Sequence, residues 1–252
     1  MRRFFISPEQ LAQPRPCIEG DDARHLRLVL RSRPGDRIAV LDGRGNAYQA
    51  RIVALEREKV LVELEMPLPE NPDMAPEIIL AQAYLKDKKM DGLVRPLTEL
   101  GVARWIPFLA ARSVPAPDQK RLLGRFDRWH KISLEAVKQC GRRRPMAIDP
   151  LIPFEAALDQ AQDCDTRIIF YEKQTDTRLR PPAPVPSTAK VFVMVGPEGG
   201  FEPDEIDRAR HAGFSLLSLG PRILRAETAA LTAAVLTQYL FGDMAQNFLD
   251  NT

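Results

Sequence analysis

The sequence predicts an α/β protein in which a small, mostly β module precedes a larger domain with a mostly parallel sheet and helices on both faces. Three observations carry this. The first seventy residues alternate short apolar runs with turn residues, four prolines interrupt Met66–Pro76, and beyond them apolar runs alternate with helical periodicity. With 252 residues and a 44% hydrophobic share, the chain has enough apolar material for one large core or two small ones.

In the first module, strands are expected at 36–41, 47–53 and 60–64, with Asp42-Gly43-Arg44-Gly45-Asn46 as the turn between the first two. The prolines of Met66–Pro76 forbid a continuous helix or central strand and mark an interdomain linker, which puts the boundary near Asp73. In the second domain the strands fall at 78–83, 105–108, 167–171 and 191–195, with a short one near Leu216-Leu217. The longer helices fall at about 90–100, 119–140, 203–211 and 227–241. A second proline-rich piece, Arg180–Ser187, reads as a surface loop because strand signals for one sheet lie on both sides of it.

Composition narrows the class. No segment has the ~20 consecutive apolar residues of a membrane helix, and the start, Met1-Arg2-Arg3-Phe4-Phe5-Ile6, meets polar residues and prolines at once, so a cytosolic location is the expectation. Cys17, Cys140 and Cys164 are widely spaced, with neither a CxxC nor a histidine at ligand spacing; they read as reduced, mostly buried thiols, and no metal site is expected. The net charge of +2 conceals an asymmetry: residues 1–145 hold 27 Lys+Arg against 19 Asp+Glu, whereas 146–189 and 190–252 each carry a net of −3. Such a division suits either a polyanion contact made by the first part or a solvated basic surface.

The sharpest local feature is Val195-Gly196-Pro197-Glu198-Gly199-Gly200-Phe201-Glu202-Pro203-Asp204-Glu205, between a buried strand and a helix. Glycines at such a junction admit close backbone approach to a ligand. Their spacing fits neither GxGxxG nor a Walker A loop, and Glu198, Glu202, Asp204 and Glu205 would repel a pyrophosphate. A ligand with adenosine, a positive centre and no phosphate is tolerated, and S-adenosylmethionine is of that kind; a tight turn before a well-capped helix is the plainer reading. A second loop, Ser218-Leu219-Gly220-Pro221-Arg222-Ile223-Leu224-Arg225-Ala226-Glu227-Thr228-Ala229, leads from the short strand into the last helix and could wall the same pocket. Leu219, Ile223 and Leu224 offer apolar contact to an adenine. Arg225 would either face the chemistry or form a surface salt bridge to Glu227 or Asp243.

Together, VGPEGGFEPDE and SLGPRILRAETA resemble the cofactor-binding signatures of the RsmE-type ribosomal RNA methyltransferases of the SPOUT superfamily. The resemblance extends through HLRLVLRSRPGDRIAVLDGRG at 25–45, KDKKMDGLVRPLTELGV at 86–102, RSV at 112–114 and EAVKQCGRRRPMAI at 135–148. It implies a PUA-like β-barrel over 1–72 that helps dock RNA, then a SPOUT domain over 73–252 with a C-terminal trefoil knot. It further implies a homodimer, S-adenosylmethionine as methyl donor, and N3 of a uridine in 16S ribosomal RNA, within the small subunit, as the target. The last helix, with Ala229, Ala230, Ala233 and Ala234, suits close packing in the knot, at the dimer interface or in an ordinary core.

Carried onto this chain, the resemblance puts Phe170, Val195, Gly196, Glu198, Gly199, Gly200, Leu219, Gly220, Ile223, Leu224 and Arg225 in the cofactor pocket, with Tyr171 beside them. RNA would meet Arg24, Arg27, Arg31 and Arg33 in the first domain and Arg112, Arg142, Arg143 and Arg144 in the second. Pro96 departs from the family's pattern and should kink or shorten its helix. N3 of uridine is a poor nucleophile while it holds its proton. Arg225 is therefore expected to stabilise negative charge on the uracil, with Glu227 as proton acceptor or as orienter of Arg225. The rival readings are a non-catalytic RNA-binding protein and a dinucleotide enzyme, the latter disfavoured by the missing fingerprint. His25, His130 and His211 have no nucleophile partner in sequence, so a hydrolase triad has no support.

Overall fold

The computed structural model describes residues 1–69, 76–86, 88–114, 118–174 and 186–244. The chain divides into two compact units, Met1–Pro72 with Val137–Pro145, and Asp73–Ala136 with Met146–Thr252. The expected boundary at Asp73 and residues 180–185 of the second proline-rich piece lie outside the described residues.

The first unit contains β1 (Arg3–Phe5), α1 (Pro8–Leu11), β2 (Cys17–Glu19), α2 (Gly20–Arg24) continued by a π-turn at His25–Val29, β3 (Arg37–Leu41), β4 (Ala47–Leu55) and β5 (Lys59–Pro67). Its sheet runs in the order β1-β3-β4-β5-β2, antiparallel except for β1 beside β3. The β3–β4 turn closes on Asp42, whose Oδ1 accepts from the backbone N–H of Arg44 (2.7 Å) and of Asn46 (3.0 Å). Register shifts at Gln49/Ala50 and Ile52/Ala54 bend β4 against β5 and curl the sheet. The curl encloses an apolar core that includes Phe4, Ile18, Leu26, Val40, Ile52 and Val60. The segment Val137–Pro145 is tied into this unit by Lys138, whose Nζ lies 2.7 and 2.8 Å from the two carboxylate oxygens of Asp22.

The second unit adds β6 (Glu77–Ala83), α3 (Lys88–Glu99), β7 (Arg104–Leu109), α4 (Gln119–Cys140, shared with the first unit at its end), β8 (Ala147–Ile148), β9 (Ile152–Pro153) and α5 (Phe154–Gln160). It continues with β10 (Thr166–Phe170), β11 (Lys190–Val195), α6 (Pro203–His211), β12 (Ser215–Leu217) and α7 (Ala226–Phe241). Among the described residues every strand pair of this unit is parallel, in the order β12-β10-β11-β6-β7-β8, with β9 also on β7. Side chains alternate across this sheet. Ile78, Leu80, Trp105, Val191 and Val193 point to one face, where they pack with residues of α3 and α7. Ile79, Ala81, Ile106, Phe192 and Met194 point to the other, where α5 and α6 cover them. The domain is thus α/β with helices on both faces. The expected knot depends in part on the path of residues 175–185, which lie outside the described residues.

Pro96 does not stop α3. The helix continues to Glu99, the proline being exempt only from the hydrogen bond its missing N–H would donate. What ends α3 is Gly101, at φ +84°, with Gly101 N–H and Val102 N–H donating back to Thr98 and Leu97. Against this end sits Gln238 of α7, whose Nε2 donates to the Leu100 carbonyl at 2.8 Å. A Cβ on Gly101 would collide with that nitrogen. Gly101→Ala is therefore expected to cost about 2–4 kcal/mol and lower Tm by roughly 5–12 °C, measurable by thermal unfolding.

Candidate functional site

Because β10, β11 and β12 run parallel, their carboxyl ends emerge side by side, and the chain leaving each of them contributes a wall to one cavity of about 260 Å³. That is near the small end of the ~300–1,000 Å³ range of ligand pockets. Phe170, Tyr171 and Glu172 line it from β10, and Val195, Gly196, Glu198, Gly199 and Gly200 from the loop after β11. Ser218, Leu219, Gly220, Arg222, Ile223 and Leu224 line it from the loop after β12, and Ala226 and Ala229 from α7. Arg225 does not line it: its backbone is extended (φ −64°, ψ 149°) as the N-cap of α7, and the residue is exposed. Sequence reasoning passed over Glu172, which carries no motif of its own, and quoted Ser218 and Arg222 within the second loop without assigning them to the pocket.

Packing fixes the first loop. Phe201 is buried against Phe108 and Phe154, and a Cβ on Gly196 would meet its ring at 3.0 Å. Buried Gln82 donates to the Gly196 carbonyl at 3.2 Å, and buried Glu205 accepts from Glu202 N–H (2.9 Å) and Ala111 N–H (2.8 Å). Arg112 closes the frame, with Nε donating to Glu202 at 2.7 Å and Nη1 to the Gly199 carbonyl at 2.9 Å. Expected as an RNA contact, Arg112 is engaged with the glycine loop itself.

The second surprise is Lys89, in the first turn of α3. Its Nζ lies 3.1 Å from Glu198 and 3.2 Å from Glu227, so the expected partner of Arg225 is paired elsewhere. Its own backbone N–H and then Lys89 hold the Glu227 carboxyl below the ordinary carboxylate range. The two carboxylates in turn raise the Lys89 ammonium, Glu198 foremost.

Among the other arginines, Arg24, Arg31 and Arg33 are exposed in the first unit, Arg31 at φ +50°. Arg27 donates to the carbonyls of Glu56 (3.2 Å) and Arg57 (2.6 Å). Arg142, Arg143 and Arg144 belong by their packing to the first unit, not the second: Arg144 donates to the Arg44 carbonyl at 3.0 Å and Arg143 to that of Pro69. Cys17 and Cys140 are half-buried and only Cys164 is buried, short of the mostly buried set expected. Among the described residues no group of three or more His, Cys, Asp and Glu could hold a metal, and no helix is long and apolar enough to cross a membrane.

Residues 72–238 match a family model described as an RNA methyltransferase domain, and residues 18–65 one described as an RNA methyltransferase PUA domain. The ribosomal RNA small subunit methyltransferase E of Bacillus subtilis is 30% identical over 95% of this chain and 96% of its own length. The crystal structure of a ribosomal RNA small subunit methyltransferase E from Neisseria gonorrhoeae, bound to S-adenosyl methionine, superposes with a TM-score of 0.82 at 33% identity. It covers 97% of this chain and 99% of that one. A structure from Legionella pneumophila in complex with the cofactor SAM covers the same shares at 29% identity, with a TM-score of 0.85. With a family model across most of its length and relatives of 30% identity or more along nearly all of it, the chain belongs to the ribosomal RNA small subunit methyltransferase E family.

Proposed function

We propose that this protein transfers a methyl group from S-adenosylmethionine to N3 of a uridine in 16S ribosomal RNA. The observation that carries the reading is the cavity at the carboxyl ends of β10, β11 and β12, walled by glycine backbone and bearing the acids Glu172 and Glu198. The residues fit the donor. A Cβ on Gly199 would crowd Arg112 at 3.0 Å, and Gly200 sits at φ +69°, where glycine avoids backbone strain. Acidic side chains suit a cation without phosphate, and Leu219 and Leu224 offer apolar contact to its adenine. Phe170, Val195, Gly196, Gly199, Gly200, Gly220 and Ile223 complete the donor's surroundings.

S-adenosylmethionine supplies an electrophilic methyl group when bound. The chain's residues then have to orient the uracil and remove its N3 proton. Arg225 stands exposed at the start of α7, outside the cavity and close enough to Glu227 to lower its carboxyl pKa. From there it meets the base rather than the donor, and its guanidinium stabilises charge building on the uracil oxygens. Glu227, ionised and paired with Lys89, is the acceptor of the N3 proton in this reading.

RNA docks on the first unit through Arg24, Arg31 and Arg33, with Arg27 and Arg142–Arg144 shaping that surface. A homodimer accounts for α7, whose sole charge is Glu227 and whose Val235 and Tyr239 are 40% and 51% exposed, as it does for Ile223 on the second loop at 89%. A ribosomal substrate puts the activity in the cytoplasm. Incorporation of labelled methyl from S-adenosylmethionine into small-subunit RNA tests the reading. Transfer is expected with the parent protein. RNA binding with no donor binding would make it a non-catalytic RNA-binding protein instead.

A further inference from the structure

Lys89 belongs to neither glycine loop, yet it is the group that joins them. Its ammonium reaches Glu198, which lines the cavity after β11, and Glu227, in the first turn of α7, at 3.1 and 3.2 Å. All three side chains are about one-third exposed, so the cluster is wet at its rim, and its interactions are moderated by solvent without being abolished. Counting formal charges, two carboxylates and one ammonium leave the cluster at a net of −1. Beside it Arg225 adds positive charge near Glu227, and in the cavity lining Glu172 adds a negative and Arg222 a positive charge.

We propose that Lys89 is a positioning residue that divides one positive charge between the cavity carboxylate Glu198 and the substrate-side carboxylate Glu227, and so sets how strongly the site prefers the charged methyl donor over its neutral product. The proposal rests on the cofactor reading above. S-adenosylmethionine carries a sulfonium, an ammonium and a carboxylate, a net of +1. S-adenosylhomocysteine has lost the sulfonium charge and is neutral overall. Glu198 unmasked would favour the donor, but it would also draw the sulfonium into an ion pair that transfer must break. Lys89 tempers that attraction by engaging Glu198, and it keeps Glu227 apart as a carboxylate oriented from α7. Its place in the first turn of α3 gives it this reach, because the sheet order sets β6, which leads into α3, beside β11.

The test is equilibrium binding of S-adenosylmethionine and S-adenosylhomocysteine, each measured by calorimetry on the full chain, for the parent, Lys89→Gln, Lys89→Arg and Glu198→Gln. Lys89→Gln leaves the cluster at −2 and is expected to raise the donor-to-product preference by roughly three- to fivefold, the size that loss of one partly exposed ion pair permits. Lys89→Arg should hold the parent ratio to within about twofold, and Glu198→Gln should lower it. A purely structural role would weaken both ligands together and leave the ratio where it was. An unchanged ratio in Lys89→Gln, with the parent binding both ligands, overturns the role of Lys89 alone. A parent that binds neither ligand overturns the cofactor reading, and the role of Lys89 with it.

Discussion

Gly200→Val is expected to lower affinity for S-adenosylmethionine by at least about a hundredfold while leaving the protein folded. Gly200 sits at φ +69°, where a β-branched residue is strained by ~1–3 kcal/mol. The first carbon of the new side chain would lie 2.7 Å from Oε1 of Glu172, which lines the cavity from the end of the neighbouring strand β10. Glu172 is exposed and its carboxylate can swing aside, but the valine side chain then stands in the cavity that both residues line. The backbone strain is common to the free and bound protein and lowers stability, so the ~2.8 kcal/mol that a hundredfold change represents comes from the valine methyls occupying ligand space. Equilibrium binding checks the affinity, and thermal unfolding checks the fold. Binding within threefold of the parent would show that the ligand does not use this wall.

Arg225→Ala should lower the rate of methyl transfer by about 10²–10³-fold, the usual cost of losing a donor aimed at developing negative charge. Donor affinity should stay within about threefold, because Arg225 does not line the cavity. Single-turnover transfer to small-subunit RNA, measured beside donor binding, separates the two effects. A variant that folds, binds the donor and transfers at the parent rate removes Arg225 from the chemistry. The depressed Glu227 carboxyl adds a pH expectation. A group whose folded pKa is lowered stays ionised until pH falls through that lower value, so protonation of Glu227 should not reduce transfer until pH drops below the ordinary carboxylate range, which the pH profile of single-turnover transfer checks.

Both glycine loops were legible in the sequence because each is a contiguous string whose glycines, prolines and acids mark a strand-to-helix turn. The main strands of the parallel sheet were legible too, since strands covered on both faces read as nearly continuous apolar runs, unbroken in Val191–Val195 and broken only by Gln82 in Ile78–Ala83. What escaped is short or nonlocal. β1 and β2 are three residues each, and seven-residue α5 offers barely two turns of periodicity. Lys89 is one of three lysines in the 86–89 stretch, and nothing local distinguishes it; only the fold brings it to Glu198 and Glu227. Gln82 reads as a polar interruption of a strand until the Gly196 carbonyl is seen beside it. Arg143 and Arg144 form a basic run in sequence, yet carbonyls of the first unit accept from both.

The most direct test is nucleoside analysis, by mass spectrometry, of RNA from small ribosomal subunits taken from cells lacking this protein and incubated with the purified chain and S-adenosylmethionine. One new 3-methyluridine per 16S RNA is the expected result. A methyl group on any other nucleoside, or none at all from a protein that binds the donor, would contradict it.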